Sequence, residues 1–353
     1  MKNVFNFISK TSSGMSMGLF ATLIIGTIIK QLSILIGNFQ LGIDIANTLI
    51  NLMGVGIALG VALAIKNNQS ILHLVSLMIL GGITSSINLK AYNNPIPTFI
   101  LNGGSKNPLL IYLVVILSFL IINKLLTKRT PIDILIVPLS YVFIGTILGF
   151  ILIYPCYYLI FAIQSIIEYA MPLMPVLMSI IISIIVGMVL TMPISSVAVC
   201  VAIDIGNIPL AAGAAVIGCS VQMIGFATQA IKAKNSIGKS IGVGIGTSML
   251  YWPNIIKKPA IWLPTILSSA ILGPIGVCLL NTTATSAGAG MGTCGLVGQI
   301  AVLETMGFNN LNAYLSIFLI QIIGAIVLTY LFDYLLCNKL KLYTNEDLKL
   351  NLD

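Results

Sequence analysis

The chain is a succession of apolar runs divided by short polar connectors, and that alternation restricts it to few folds. The runs fall at 15–37, 43–65, 70–88, 108–123, 132–154, 172–192, 208–230, 261–280 and 311–333. A helix of about 20 apolar residues crosses the hydrocarbon layer of a bilayer. Charged residues make up only 7% of the chain and the mean hydropathy is +1.07, whereas soluble domains carry about 25% charge. So little charge cannot cover a surface that faces water. The expected fold class is therefore all-α: a polytopic integral membrane helical bundle of about 9–11 spans by the length rule. Two shorter segments fit less simply. Residues 156–170, CYYLIFAIQSIIEYA, suit the membrane interface, with tyrosines at headgroup level. Residues 238–252, GKSIGVGIGTSMLYW, are Gly-rich and suit a tight helix or a re-entrant piece.

The connectors exclude several function classes. The net charge of +8 is spread over lysines that occur singly or in small clusters, such as Lys232, Lys234 and Lys239. That is the pattern of membrane-protein loops, and it offers nothing to a nucleic acid. The chain contains no P-loop, no dinucleotide fingerprint, no helix-turn-helix and no H-E-x-x-H. Its six cysteines form no C-x-x-C pair, so neither a metal site nor a disulfide framework is expected, and no cofactor. The first apolar stretch ends without a small-residue cleavage site and reads as a membrane helix. Lys2 and Lys10 place the N-terminus in the cytoplasm, and Lys66, Lys128 and Arg129 fit that orientation. Residues 1–338 read as one transmembrane domain and 339–353 as a short cytoplasmic tail. The side on which Lys232–Lys239 lie stays open, because 193–207 is too short to cross simply.

Two polar stretches interrupt the apolar pattern. The first is NTTATSAGAGMGTCGLVGQ, 281–299, lying between two strongly apolar segments. Non-helical backbone at membrane depth survives only when buried in protein or lining a wet cavity. Gly288, Gly290 and Gly292 allow close backbone approach. Asn281, Thr293 and Gln299 offer neutral donors and acceptors, which suit a polyol. The alternatives are a mobile external loop or close helix packing through small residues. The second break is 191–215, where Pro193 ends a helix ladder before Ser195 and Ser196; a simple turn between spans is the other reading. Asp204 is either a carboxylate at depth or a solvated loop charge. Glu304 follows the first polar stretch directly and could accept hydrogen bonds from substrate hydroxyls. Gln222 and Asn254 complete the candidate substrate-binding set, which contains no catalytic residue. His73, the single histidine, reads as a helix-end packing residue.

Several stretches resemble one family: GMVLTMPISS at 187–196, LAAGAAVIGCSVQMIGFA at 210–227, GTSMLYWPNIIKKPAIWLP at 246–264, SAILGPIG at 269–276 and AGAGMGTCGLVGQI at 287–300. They are similar to the enzyme IIC-like membrane proteins of the phosphotransferase system, and in particular to the branch that includes the perfringolysin O regulator. The resemblance implies a homodimeric permease of the bacterial cytoplasmic membrane, with a small-molecule, sugar-like substrate and partner IIA and IIB proteins acting in trans. The chain holds no soluble segment large enough to be a IIA or IIB domain. Relatives of this kind include both permeases and regulators of gene expression. A membrane-embedded regulator and a secondary transporter unconnected with phosphorylation therefore remain alternatives.

Overall fold

The structure, a computed structural model, describes residues 2–65, 70–89, 97–99, 107–126, 131–203 and 205–350. Asp204, Lys66, Lys128, Arg129 and most of the connection 88–107 lie outside these residues. The described chain is helical, apart from loops and one short antiparallel strand pair, β1 (Ile87–Leu89) and β2 (Pro97–Phe99), with Ile87 opposite Phe99. Two compact units divide it, 1–160 and 161–350. Among the described residues six helices are long and apolar enough to cross a membrane, or seven if one bent pair counts as a single span, and three shorter apolar helices accompany them. The fold is thus the expected all-α membrane bundle.

In the first unit, α1 (Lys2–Leu19) runs through wide π-helical turns into α2 (Ile25–Leu35). The bent pair is α3 (Gln40–Asn51) and α4 (Met53–Ile65), which meet at 48°. α5 (Ile71–Ser85) and α6 (Pro108–Leu125) pack on α4. Apolar side chains do not drive helices together in lipid, so close backbone approach must. It does so between α1 and α4: a Cβ on Gly14 would lie 2.2 Å from the Gly60 carbonyl oxygen. Buried hydroxyls reinforce the unit, with Tyr112 Oη 2.9 Å from Thr11 Oγ1 and 3.0 Å from Ser12 Oγ. His73 Nδ1 sits 3.1 Å from Tyr141 Oη, the structural role expected of it.

One sequence expectation changes here. Residues 156–170 are not a separate interfacial segment but the continuation of α7 (Asp133–Ala170), a 38-residue helix with Pro138 and Pro155 inside it. A proline removes one N–H from the ladder, yet membrane helices tolerate this when neighbouring groups re-satisfy the freed carbonyl. Leu135, Leu139, Phe143, Ile147 and Ile151 recur every four residues along α7 and are all exposed. An apolar stripe of that length has lipid, not water, as its natural solvent.

The second unit is built around α10 (Pro209–Lys232). Before it come α8 (Pro175–Thr191) and the short α9 (Ser196–Ala202). After it come α11 (Ile237–Ile241), α12 (Trp252–Lys257), α13 (Leu263–Leu280), α14 (Ser286–Ala289), α15 (Val297–Met306), and a last span whose regular parts are α16 (Leu311–Leu315) and α17 (Ala325–Asp333). α8, α13 and α17 pack directly on α10. A Cβ on Gly218 would lie 2.0 Å from the Ser183 carbonyl oxygen, so α8 and α10 touch backbone to backbone. Contacts give the directions. Gly276 faces Ile217 and Thr265 faces Gly225, so α13 runs antiparallel to α10. Gln321 meets Ser220 and Asp333 meets Lys232, so the last span runs parallel to it.

A candidate binding site where two re-entrant segments meet

The polar stretch 281–296 enters the second unit and turns back. α13 ends at Asn281, whose left-handed φ of 50° redirects the chain. The backbone then passes α10 so closely that a Cβ on Gly213 would lie 1.8 Å from the Thr282 carbonyl oxygen. Its deepest turn holds Gly292, at φ 55°, against the backbone of Cys219 and Ser220. α15 then withdraws past Val216, where Gly298 packs. Entry and exit therefore share the N-terminal end of α10. The alternative of a mobile external loop fails, because Thr282, Ala284, Ala289, Thr293 and Cys294 are buried.

A second segment, 237–257, enters from the opposite end. Asn235 before it and Asn254 near its return both bond to the same short stretch, 347–350, so it leaves and comes back at one place. Its inner part, Gly242–Gly246, is a π-helical turn, and Gly244 lies beside Ala227 and Ile224 of α10. Tyr251 stacks on Phe226 with centroids 4.8 Å apart. The Gly-rich reading as a re-entrant piece therefore describes 238–252 correctly.

The two tips meet. Thr293 Oγ1 donates to the Gly244 carbonyl oxygen at 2.6 Å. α8 ends at the same depth, where Thr191 Oγ1 lies 2.9 Å from Ser248 Oγ. After Pro193 the chain returns alongside the first segment: Ser196 Oγ donates to the Gly290 carbonyl oxygen at 2.6 Å, and the Gly206 N–H donates to Ser286 Oγ at 2.9 Å. Among these bonds the carbonyls of Gly244 and Gly290 and the N–H of Gly206 find side-chain partners in place of helical ones, which irregular backbone at such depth requires.

A chain of neutral amides and hydroxyls runs beside the first tip. Gln299 Nε2 donates to Gln321 Oε1 at 2.8 Å and to Ser220 Oγ at 3.2 Å. Ser220 Oγ donates to the same Gln321 oxygen at 2.9 Å. Gln321 Nε2 reaches Ser316 Oγ at 3.4 Å, and Ser316 Oγ lies 2.8 Å from Thr282 Oγ1. Two residues along α10 from Ser220, and so on another face of the helix, Gln222 Oε1 accepts from Trp262 Nε1 at 3.0 Å and Thr265 Oγ1 at 2.8 Å. Gln299 Oε1 and Gln222 Nε2 are both buried and unpaired. Leaving such an atom unpaired costs about 1–3 kcal/mol, so each is a place where a hydroxyl would be welcome.

The sequence candidates divide accordingly. The fold brings together Ser196 with Gly290, and Gly292, Thr293 and Gln299 with the middle of α10. Pro193 is buried at the break, with Ser195 half-buried beside it, and Gly288 packs on Ala301. Gln222 belongs to the neighbouring Trp262–Thr265 group. Glu304 and Asn281 are exposed, outside the buried chain, and Asn254 serves the C-terminal segment. Ser220, Ser316 and Gln321 escaped sequence reasoning; the available signal was an amide inside an otherwise apolar run. Asp333 escaped as well. It is fully buried, and its carboxylate accepts from Gln229, Tyr343 and Lys232. No His, Cys, Asp and Glu group suited to a metal occurs among the described residues. Five of the six cysteines are buried and Cys278 is exposed.

The chain matches the family described as "Phosphotransferase system, EIIC" over residues 9–350. No curated protein and no solved structure matches it.

Proposed function

The chain belongs to the phosphotransferase system EIIC family, and from that premise we propose that it is the membrane permease component of a phosphotransferase-type sugar transport system. One observation carries the reading: the buried, uncharged chain Gln299–Gln321–Ser220–Ser316 beside the point where two re-entrant tips touch. A sugar hydroxyl offers one donor and two acceptor positions, and amides and hydroxyls match that without charge. The unpaired Gln299 Oε1 would accept from such a hydroxyl, and the unpaired Gln222 Nε2 would donate to one.

Transport follows from the same arrangement. Each tip belongs to a segment anchored at one end of α10, so parting Thr293 from Gly244 would open the site toward one side or the other, as alternating access demands. As the family membership suggests, phosphorylation falls to IIA and IIB partners in trans, on the inner face of a bacterial cytoplasmic membrane, with the permease acting as a homodimer.

The test is a ligand-stabilisation screen of the purified protein with unphosphorylated sugars. A ligand at about 100 times its Kd stabilises the native state by about 2.7 kcal/mol. A sugar that raises the unfolding temperature of the wild type, and fails to do so in Gln299→Leu, supports the site. A shift that survives unchanged in both Gln299→Leu and Gln222→Leu would place the sugar elsewhere and sink this reading.

A further inference from the structure

The C-terminal segment is not a loose tail. Tyr343, Leu348 and Leu350 are buried at 2%, 0% and 3% exposure, in a stretch where Thr344 and Asp347 form a capping box. What holds the segment is unusual in kind, because side chains of the bundle read its backbone. Asn254 Nδ2 donates to the carbonyl oxygens of Asp347 and Lys349, both at 2.8 Å. Asn235 Nδ2 donates to the Leu348 carbonyl oxygen at 3.1 Å, while its Oδ1 accepts from the Leu350 N–H at 2.8 Å. Tyr251 Oη donates to the same Leu348 oxygen at 2.9 Å, and Lys239 Nζ to the Leu350 oxygen at 3.2 Å. Asn235 thus treats residues 348 and 350 as a neighbouring strand would, and alternate side chains enter the protein. Main-chain bonds plus pockets for alternate side chains are how a groove recognises an extended peptide.

Every one of these clamps lies on, or directly beside, the re-entrant segment 237–257. Asn235 precedes it, Lys239 lies in its inward arm, and Tyr251 and Asn254 lie in its outward arm. Tyr343 adds the last span, donating to Asp333, which also holds Gln229 and Lys232 at the end of α10. We propose that residues 343–350 are a detachable latch, a peptide ligand carried in cis, whose docking holds the re-entrant segment 237–257 closed. The proposal extends the transport reading, since that segment supplies one of the two touching tips, but its test reads motion and not transport.

Hydrogen exchange on the full-length protein in detergent measures it. In the wild type, amides of 344–350 and 237–257 exchange slowly. In Asn235→Ala/Asn254→Ala both stretches exchange at least about tenfold faster, because each lost hydrogen bond is worth about a two- to tenfold factor in the opening equilibrium, while α10 stays protected. In Leu348→Asp/Leu350→Asp, whose own latch is expelled, a free peptide LYTNEDLKL added in excess restores slow exchange to 237–257. Two results overturn the latch: the tail loosens and 237–257 keeps its wild-type protection, or the free peptide restores nothing. Should the double asparagine variant loosen α10 as well, Asn254→Ser and Tyr343→Phe are read singly in the same two stretches. Unchanged exchange of 237–257 in both then overturns the proposal equally.

Discussion

Gln321 shows what a single buried amide is worth. Its Oε1 accepts from Gln299 and Ser220 at once, so Gln321→Leu strands two donors inside the bundle. Stranded donors cost about 1–3 kcal/mol, so a lowered unfolding temperature is expected. Gln299→Leu/Gln321→Leu removes donor and acceptor together and should cost less than the sum of the two single changes, which thermal unfolding of all four proteins measures. A strictly additive result would mean that the two amides do not share a bond. Tyr343 gives a pH prediction. Burial first, then its hydrogen bond to the Asp333 carboxylate and that carboxylate's charge, raise the phenol far above its ordinary value near 10. The folded state holds this proton more tightly than the unfolded state does. Its contribution is therefore complete below about pH 10 and lost as pH rises beyond that. Unfolding followed from pH 8 to pH 11 should steepen above pH 10 in the wild type and flatten there in Tyr343→Phe. At this scale the sequence was half legible: Thr293 and Gln299 stood out in a polar stretch. Gln321 did not, because one amide in an apolar run has no visible partner until the last span is laid against α10.

Segments carry the next level of meaning. The re-entrant stretch 281–296 was readable because polar, Gly-rich chain between two apolar runs must be buried in protein or wet. The long α7 was not readable, since a Pro near position 155 signals a helix end as readily as a tolerated interior residue. Three glycines separate the causes of rigidity in these segments. Gly292 combines a φ of 55° with backbone 2.6 Å from where a Cβ would stand. Gly307 has a φ of 95° but nothing within 4 Å. Gly238, in α11, has neither constraint. Gly307→Ala should therefore cost about 1 kcal/mol of backbone strain. Gly292→Ala should cost more, roughly 1–3 kcal/mol further for the enforced displacement of α10. Gly238→Ala should stabilise by about 0.4–1 kcal/mol through the unfolded chain and helix propensity. Unfolding temperatures check the account: Gly238→Ala should lie above the wild type, Gly307→Ala below it and Gly292→Ala lowest. A Gly292→Ala protein as stable as the wild type would show that the tip does not press on Cys219 and Ser220.

At the scale of the whole second unit, charge and topology can be set against each other. Every lysine between residues 161 and 350 is one of Lys232, Lys234, Lys239, Lys257, Lys258, Lys339, Lys341 and Lys349. The fold collects the segments that bear them: the end of α10, both arms of the 237–257 segment, the end of the last span and the latch. From the sequence the side of Lys232–Lys239 stayed open, because 193–207 is too short to cross simply, and two stretches that each enter and leave by the same end are what defeat the counting of spans. The geometry removes the difficulty by placing all eight at one end of α10, with Asn281 and the return of α15 at the other. Lys and Arg accumulate on cytoplasmic loops, so the lysine end should face the cytoplasm. A membrane-impermeant thiol reagent applied to sealed cells, in a Cys278→Ser background, should therefore modify Phe308→Cys, at the exposed turn after α15. It should reach Lys234→Cys only after the cells are opened. Equal labelling of the two sites in sealed cells would mean that one of the re-entrant segments in fact crosses. The meeting of Thr293 with Gly244 would then not be a contact between tips from opposite sides.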